Sequence, residues 1–95
     1  MYVVLLKFAE NKSRAGDFMQ DHNAWIRQGL DDGVFLLVGS LHPSLGGAIL
    51  AHGVSPADLQ ARVDADPFVV HGVVQAEILE IKPGKADPRL EFLLQ

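Results

Sequence analysis

Four histidines and twelve carboxylates are the side chains of this 95-residue chain best suited to moving protons near neutral pH. There is no cysteine, which excludes thiolate nucleophiles, sulfur-ligated zinc and disulfides, and nothing calls for an oxidising compartment. His22, His42, His52 and His71 fall into no HxH, HxxxH or HExxH spacing, so no metal site is expected. Gly46-Gly47 lies between two apolar runs and opens no helix, so no phosphate-gripping cofactor loop is expected either. Among the chemistries still open is acid/base catalysis by histidine and carboxylate.

Helical periodicity singles out one histidine. From Ser13 to Asp32, the residues Ala15, Phe18, His22, Trp25, Ile26, Gly29 and Leu30 recur at three- and four-residue steps. At about 100° per residue, His22 falls in the middle of that stripe and faces inward. The same wheel applied from Ser55 onward places Leu59, Val63 and Asp66 on one side, turning a carboxylate inward as well. A carboxylate behind an imidazole fixes its tautomer and stabilises the imidazolium, which makes a general acid/base unit.

Plainer roles stand beside that one. His22 also reads as a core histidine bonded to a backbone carbonyl, and Asp66, which precedes Pro67, as the N-cap of a following turn. Ser40 and His42 follow the second extended run and are candidate substrate-binding donors to a carboxylate or carbonyl, or solvated hairpin residues. Trp25 is a candidate stacking surface for a ligand, or a core aromatic. His52 and His71 lie near strand or turn ends and read as surface residues.

The elements that must position these residues follow from period and punctuation. Met1–Phe8 is a strand with apolar side chains on both faces, and Ser13–Asp32 is a helix with Ser13 as N-cap and Gly33 just past its end. Val34–Leu41 and Gly47–His52 pair as a hairpin across His42–Gly46. Ser55-Pro56-Ala57-Asp58 opens a second helix that runs to about Ala65, Asp66-Pro67 ends it, and Phe68–His71 adds one turn closed by Gly72. Val73–Lys82 is the last strand, and Lys85–Gln95 is an apolar tail.

The order is β-α-β-β-α-β: an α+β, ferredoxin-like fold with a four-stranded antiparallel sheet and two helices on one face. Val3 and Leu5 oppose Val4 and Leu6, and Phe35 and Leu37 oppose Leu36 and Val38, so the second face is apolar too. Left in water it would exceed the patch that soluble monomers usually expose, and a homodimer joined through this open face is expected, sealed by the tail. The charge of −4 with scattered Lys and Arg argues against nucleic acid and membrane surfaces as partners. No apolar run reaches spanning length and Met1–Phe8 lacks a signal-peptide pattern, so the expected location is cytoplasmic.

The segment Ser55–Val74, with its helix, Asp66-Pro67-Phe68 and Gly72-Val73, resembles the signature of the YCII-related family. The first strand, the helix-borne His22 and Gly39 occupy matching places, and the similarity runs through Lys82. The resemblance implies one YCII-related domain over residues 1–95, with 83–95 an extension toward the partner subunit, a dimeric α/β barrel, and His22 with Asp66 as the catalytic pair. One member type is a dehydrochlorinase acting on a chlorinated hydroxymuconate, akin in fold to muconolactone isomerases. The chain departs from its relatives in having Met19, Gln20 and Asp21 where many carry an arginine shortly before the histidine. It also has Gly39-Ser40 where they often have Gly-Pro.

The expected function is a cofactor-independent lyase or isomerase that moves a proton on a small unsaturated or halogenated hydroxy acid or lactone. The alternative is a non-catalytic dimeric module that binds a small ligand or assists a larger enzyme. Haem or flavin chemistry ranks last, since no residue beyond His22 argues for it. An open cavity beside His22 with Asp66 in hydrogen-bond reach favours the enzyme, and a filled core favours the module.

Overall fold

Burial alternates along the first strand, β1 (Tyr2–Phe8): Tyr2, Val4 and Leu6 are buried while Val3 and Leu5 look out from the opposite side. The computed structural model describes residues 1–94. It continues with α1 (Ala15–Asp31), β2 (Phe35–Leu41), β3 (Gly46–Ala51), α2 (Pro56–Asp64), α3 (Pro67–Val70) and β4 (Val74–Glu80). Short 3-10 turns cover Lys12–Arg14 and Pro88–Leu94. Every strand pairing is antiparallel and the order is β2-β3-β1-β4, which is the ferredoxin-like arrangement expected from the pattern.

The local signals set most of the boundaries. Ser55 caps α2 by accepting the Asp58 N–H at 3.1 Å, with Pro56 as the first helical residue. Gly33, at φ 74°, lets α1 close with paired bonds from Gly33 N to Leu30 O (3.0 Å) and Val34 N to Gly29 O (3.1 Å). Ser13 is not the cap expected of it. The chain enters α1 through the Lys12–Arg14 turn, Arg14 takes the N-cap position, and no side chain bonds there. The turn beyond Asp66 begins at Pro67 and forms α3, a third helical piece between α2 and β4.

The helices cover one face of the sheet. The core holds Val4, Ile49, Ala51, Leu59, Val63 and Val73, each essentially inaccessible. Gly29 lets α1 close on β2, since a Cβ there would overlap the Phe35 ring. The other face is open. Val3 pairs with Leu50 and Leu79, and Leu50 with Leu37, so an apolar row crosses all four strands. A bulge corrects the expected facing of β2: Phe35 opposes Ala51 and Leu37 opposes Leu50, which sends Phe35 inward and Leu37 outward around Leu36. In the tail, Leu90, Phe92 and Leu94 are exposed, and the Phe92 ring meets His52 edge-on at 5.5 Å. No helix among the described residues is long and apolar enough to cross a membrane.

Candidate active site

His22 sits in the middle of α1 and is buried, as the stripe of Phe18, Trp25 and Gly29 requires. Asp66 sits at the joint of α2 and α3. Its extended backbone (φ −60°, ψ 124°) ends one helix and caps the next, because the following proline disfavours the α region. One oxygen does two tasks: Asp66 Oδ1 lies 2.7 Å from His22 Nδ1 and accepts the Phe68 N–H at 3.0 Å. The cap and the partner of His22, which are alternatives in the sequence, are one atom in the structure.

The pair is enclosed. The Phe68 ring lies flat against the imidazole, with centroids 3.9 Å apart and 3° between planes, and Trp25 lies 5.9 Å away on the same helix. One turn earlier Phe18 stacks on His71 at 3.9 Å and 4°, so α1 and α3 meet through two parallel ring pairs. Asp66 is fully buried, and its Oδ2 has no hydrogen-bond partner among the described residues. When Nδ1–H donates to Asp66 Oδ1, Nε2 is the ring nitrogen left for proton exchange.

A cavity of about 270 Å³ opens beside the imidazole, between α1 and the sheet. Leu6, Met19, Ile26, Val38 and Phe68 give it apolar walls, and the polar side chains reaching it are His22, Asn23 and Ser40. Apolar walls with a few convergent polar groups are the composition of a small-molecule site, here in a volume just below the usual range. An imidazole at the wall of a cavity with a buried carboxylate behind it can take up and return protons.

Ser40 lies within β2 rather than in the loop after it, and lines the cavity. His42 follows β2 and lines a neighbouring hollow instead. Trp25 is not among the cavity's lining residues. Its Nε1–H donates to the Arg62 carbonyl at 2.9 Å and its ring meets Phe35 edge-on at 5.1 Å, so it ties α1 to α2 and the sheet. Phe68 and Asn23 were not foreseen as site residues. Phe68 follows Asp66-Pro67 directly, and its fixed place in that turn is the signal that marks it. Among the described residues no group of three His, Asp or Glu side chains is placed to hold a metal ion.

The same fold occurs in the 5-chloro-2-hydroxyhydroquinone dehydrochlorinase (TftG) of Burkholderia phenoliruptrix AC1100, solved in complex with 2,5-dihydroxybenzoquinone. The two align with a TM-score of 0.69 over 88% of this chain and 96% of that one, at 14% identity, a likeness that speaks for the fold. No curated protein matches the chain in sequence. The model of the YCII-related domain matches residues 1–83, which span β1 to β4 and every helix between them, and the chain therefore belongs to the YCII-related family.

Proposed function

We propose that this protein is a cofactor-independent enzyme of lyase or isomerase type, acting on a small unsaturated, oxygenated ring, acid or lactone, halogenated forms included. His22 is the acid/base, and Asp66 is a positioning residue that fixes its tautomer. The carrying observation is the 2.7 Å contact between His22 Nδ1 and Asp66 Oδ1 at the wall of a cavity. The fully buried Asp66 Oδ2 has no hydrogen-bond partner among the described residues, a costly arrangement for which a role in catalysis is one physical explanation. The neighbour of the same fold is named a dehydrochlorinase, which supports the reaction class.

In an elimination, His22 Nε2 takes a proton from the substrate, the electron pair left behind forms a new double bond, and the leaving group departs with its own pair. Loss of hydrogen chloride from a chlorinated hydroxylated ring balances in this way from its keto tautomer, in which the chlorine is on an sp3 carbon and leaves as chloride while the proton goes to His22. In an isomerisation the same proton returns at another carbon. Ser40 is assigned as a donor to a substrate oxygen and His42 to the rim. The working form is a homodimer with two open sheet faces in contact, since burial of that row is worth about 25 cal/mol per Å², and its place is the cytoplasm.

A panel of chlorinated hydroquinones, muconates and lactones tests this with wild type and His22→Ala. Turnover of at least one compound is expected, falling about a hundred- to ten-thousand-fold in the variant. Equal rates in both proteins would remove His22 from the chemistry. Binding of panel members without turnover would replace the enzyme with a ligand-binding module.

A further inference from the structure

Beside the His22 cavity lies a shallower hollow lined by Lys12, Leu41, His42, Pro43 and Ser44, and Phe8, Ser40 and Gly46 belong to both. The two form one depression, with an apolar interior at His22 and a mouth at Lys12. We infer that this depression takes an anion, whose carboxylate or phenolate is received at the mouth by Lys12 with His42 and Ser40. The inference rests on the reading of the His22 cavity as the ligand site and adds the charge of the ligand and its orientation.

Charge distribution carries the inference. The chain has twelve Asp and Glu residues and a net charge of −4, yet neither hollow is lined by a carboxylate, whereas Glu10 and Asp64 line a hollow elsewhere on the surface. Arg14, Arg62 and Arg89 are each paired with an aspartate. Among the described residues Lys12 and His42 have no carboxylate within ion-pair distance. The Lys12 ammonium lies 4.6 Å from the centroid of the Phe8 ring, the wall that cavity and hollow share. A compact point charge with rotatable donors on a flexible stem suits capture of an acidic group at an open rim. Ser40 lines both hollows. A ligand held by its acidic end at Lys12 turns its apolar, reacting part toward His22.

The test is a titration of the full chain, labelled with nitrogen-15, with benzoate and with its neutral isostere benzamide, followed by amide shifts of Gly39, Ser40 and Gly46. Benzoate is expected to bind about tenfold or more tightly than benzamide, with the preference lost in Lys12→Met, kept in Lys12→Arg and weakened by added salt. His22→Ala is expected to keep the preference, which separates this inference from the acid/base role: loss of turnover with intact benzoate selectivity sustains both. Equal affinity for the two probes, no benzoate binding into the millimolar range, or an undiminished preference in Lys12→Met would overturn the anion mouth while leaving the His22 chemistry standing.

Discussion

The two faces of the sheet read alike in sequence and end in opposite states. On the helix-covered face Val4 is 0% and Ile49 1% exposed, while on the open face Leu37 is 60% and Leu79 46% exposed. Strand alternation states that both faces want cover, but only one is covered by this chain. The covered face can therefore hold the buried His22–Asp66 pair away from bulk solvent, where a carboxylate acts strongly on its neighbour. The open face offers area and no chemistry, and is suited to assembly. The two faces can thus be probed separately by mutation.

The largest expected contrast comes from placing the same charge on each face. Val4→Asp puts an unpaired carboxylate among Leu59, Val63 and Ile49, and its cost of several kcal/mol rivals the whole stability of a domain this size. Circular dichroism is expected to show an unfolded chain. Leu37→Asp is expected to keep the fold and its cooperative melt but to sediment as a monomer where wild type sediments as a dimer. A wild-type monomer at micromolar concentration, or an unchanged dimer in Leu37→Asp, would end the assembly reading of the open face.

Next comes the joint between α2 and α3. Asp66→Ala removes both the cap on Phe68 and the partner of a buried imidazole, a loss of about 2–3 kcal/mol by urea denaturation. Asp66→Asn keeps a capping oxygen and should lose less, yet it no longer enforces the Nδ1–H tautomer. Ring nitrogen shifts of His22 report that directly. A His22 tautomer identical in wild type and Asp66→Asn would show that the carboxylate does not orient the ring.

That His22 and Asp66 were legible beforehand has a physical reason. His22 lies on a strongly periodic stripe, and a helix converts sequence spacing into direction without help from the rest of the fold, while Asp66, just past the end of α2, is marked by the proline that follows it. The order of the strands was legible for the same reason, through the change of period and the turn residues between runs. Features decided by one element meeting another were not legible. The bulge at Leu36 depends on registry with β3, the partner of the Trp25 indole is the Arg62 carbonyl on α2, and the position of Lys12 over Phe8 depends on how the 3-10 turn leaves β1. The Ser13 cap failed because that turn moved the helix start past it.

A smaller contrast lies within α1 itself. Gly29→Ala drives a methyl into the Phe35 ring and is expected to cost about 1–2 kcal/mol, whereas Gly16, with nothing near its Cβ direction, should gain up to about 1 kcal/mol as alanine. Equal thermal shifts for the two variants would mean that α1 does not press on β2 at Gly29.

The smallest effect belongs to an exposed pair that mirrors the buried one. Asp32, at the C-cap of α1, accepts from Gln28 Nε2 at 2.7 Å and from Arg62 Nη2 of α2 at 3.0 Å, tying together the two helices that Trp25 also joins. A carboxylate is unfavourable at the negative end of a helix dipole, so these donors decide its worth. The Gln28 amide first, and then the Arg62 guanidinium, hold the Asp32 carboxyl below the usual carboxylate range. A carboxyl whose folded pKa is depressed contributes stability above its unfolded value of about 3.9, and that contribution is lost as pH falls through the lower folded value. An asparagine side chain cannot ionise, so Asp32→Asn is expected to melt slightly below wild type at neutral pH, with the gap closing as the solution is acidified below about pH 4. Comparing the two proteins at each pH cancels whatever acid response the rest of the chain has. The gap should also narrow with added salt at neutral pH, as an exposed pair demands and the buried His22–Asp66 pair does not. A gap independent of both pH and salt would mean that Asp32 acts through packing alone, and that the helices are held together by Trp25 without an ionic contribution.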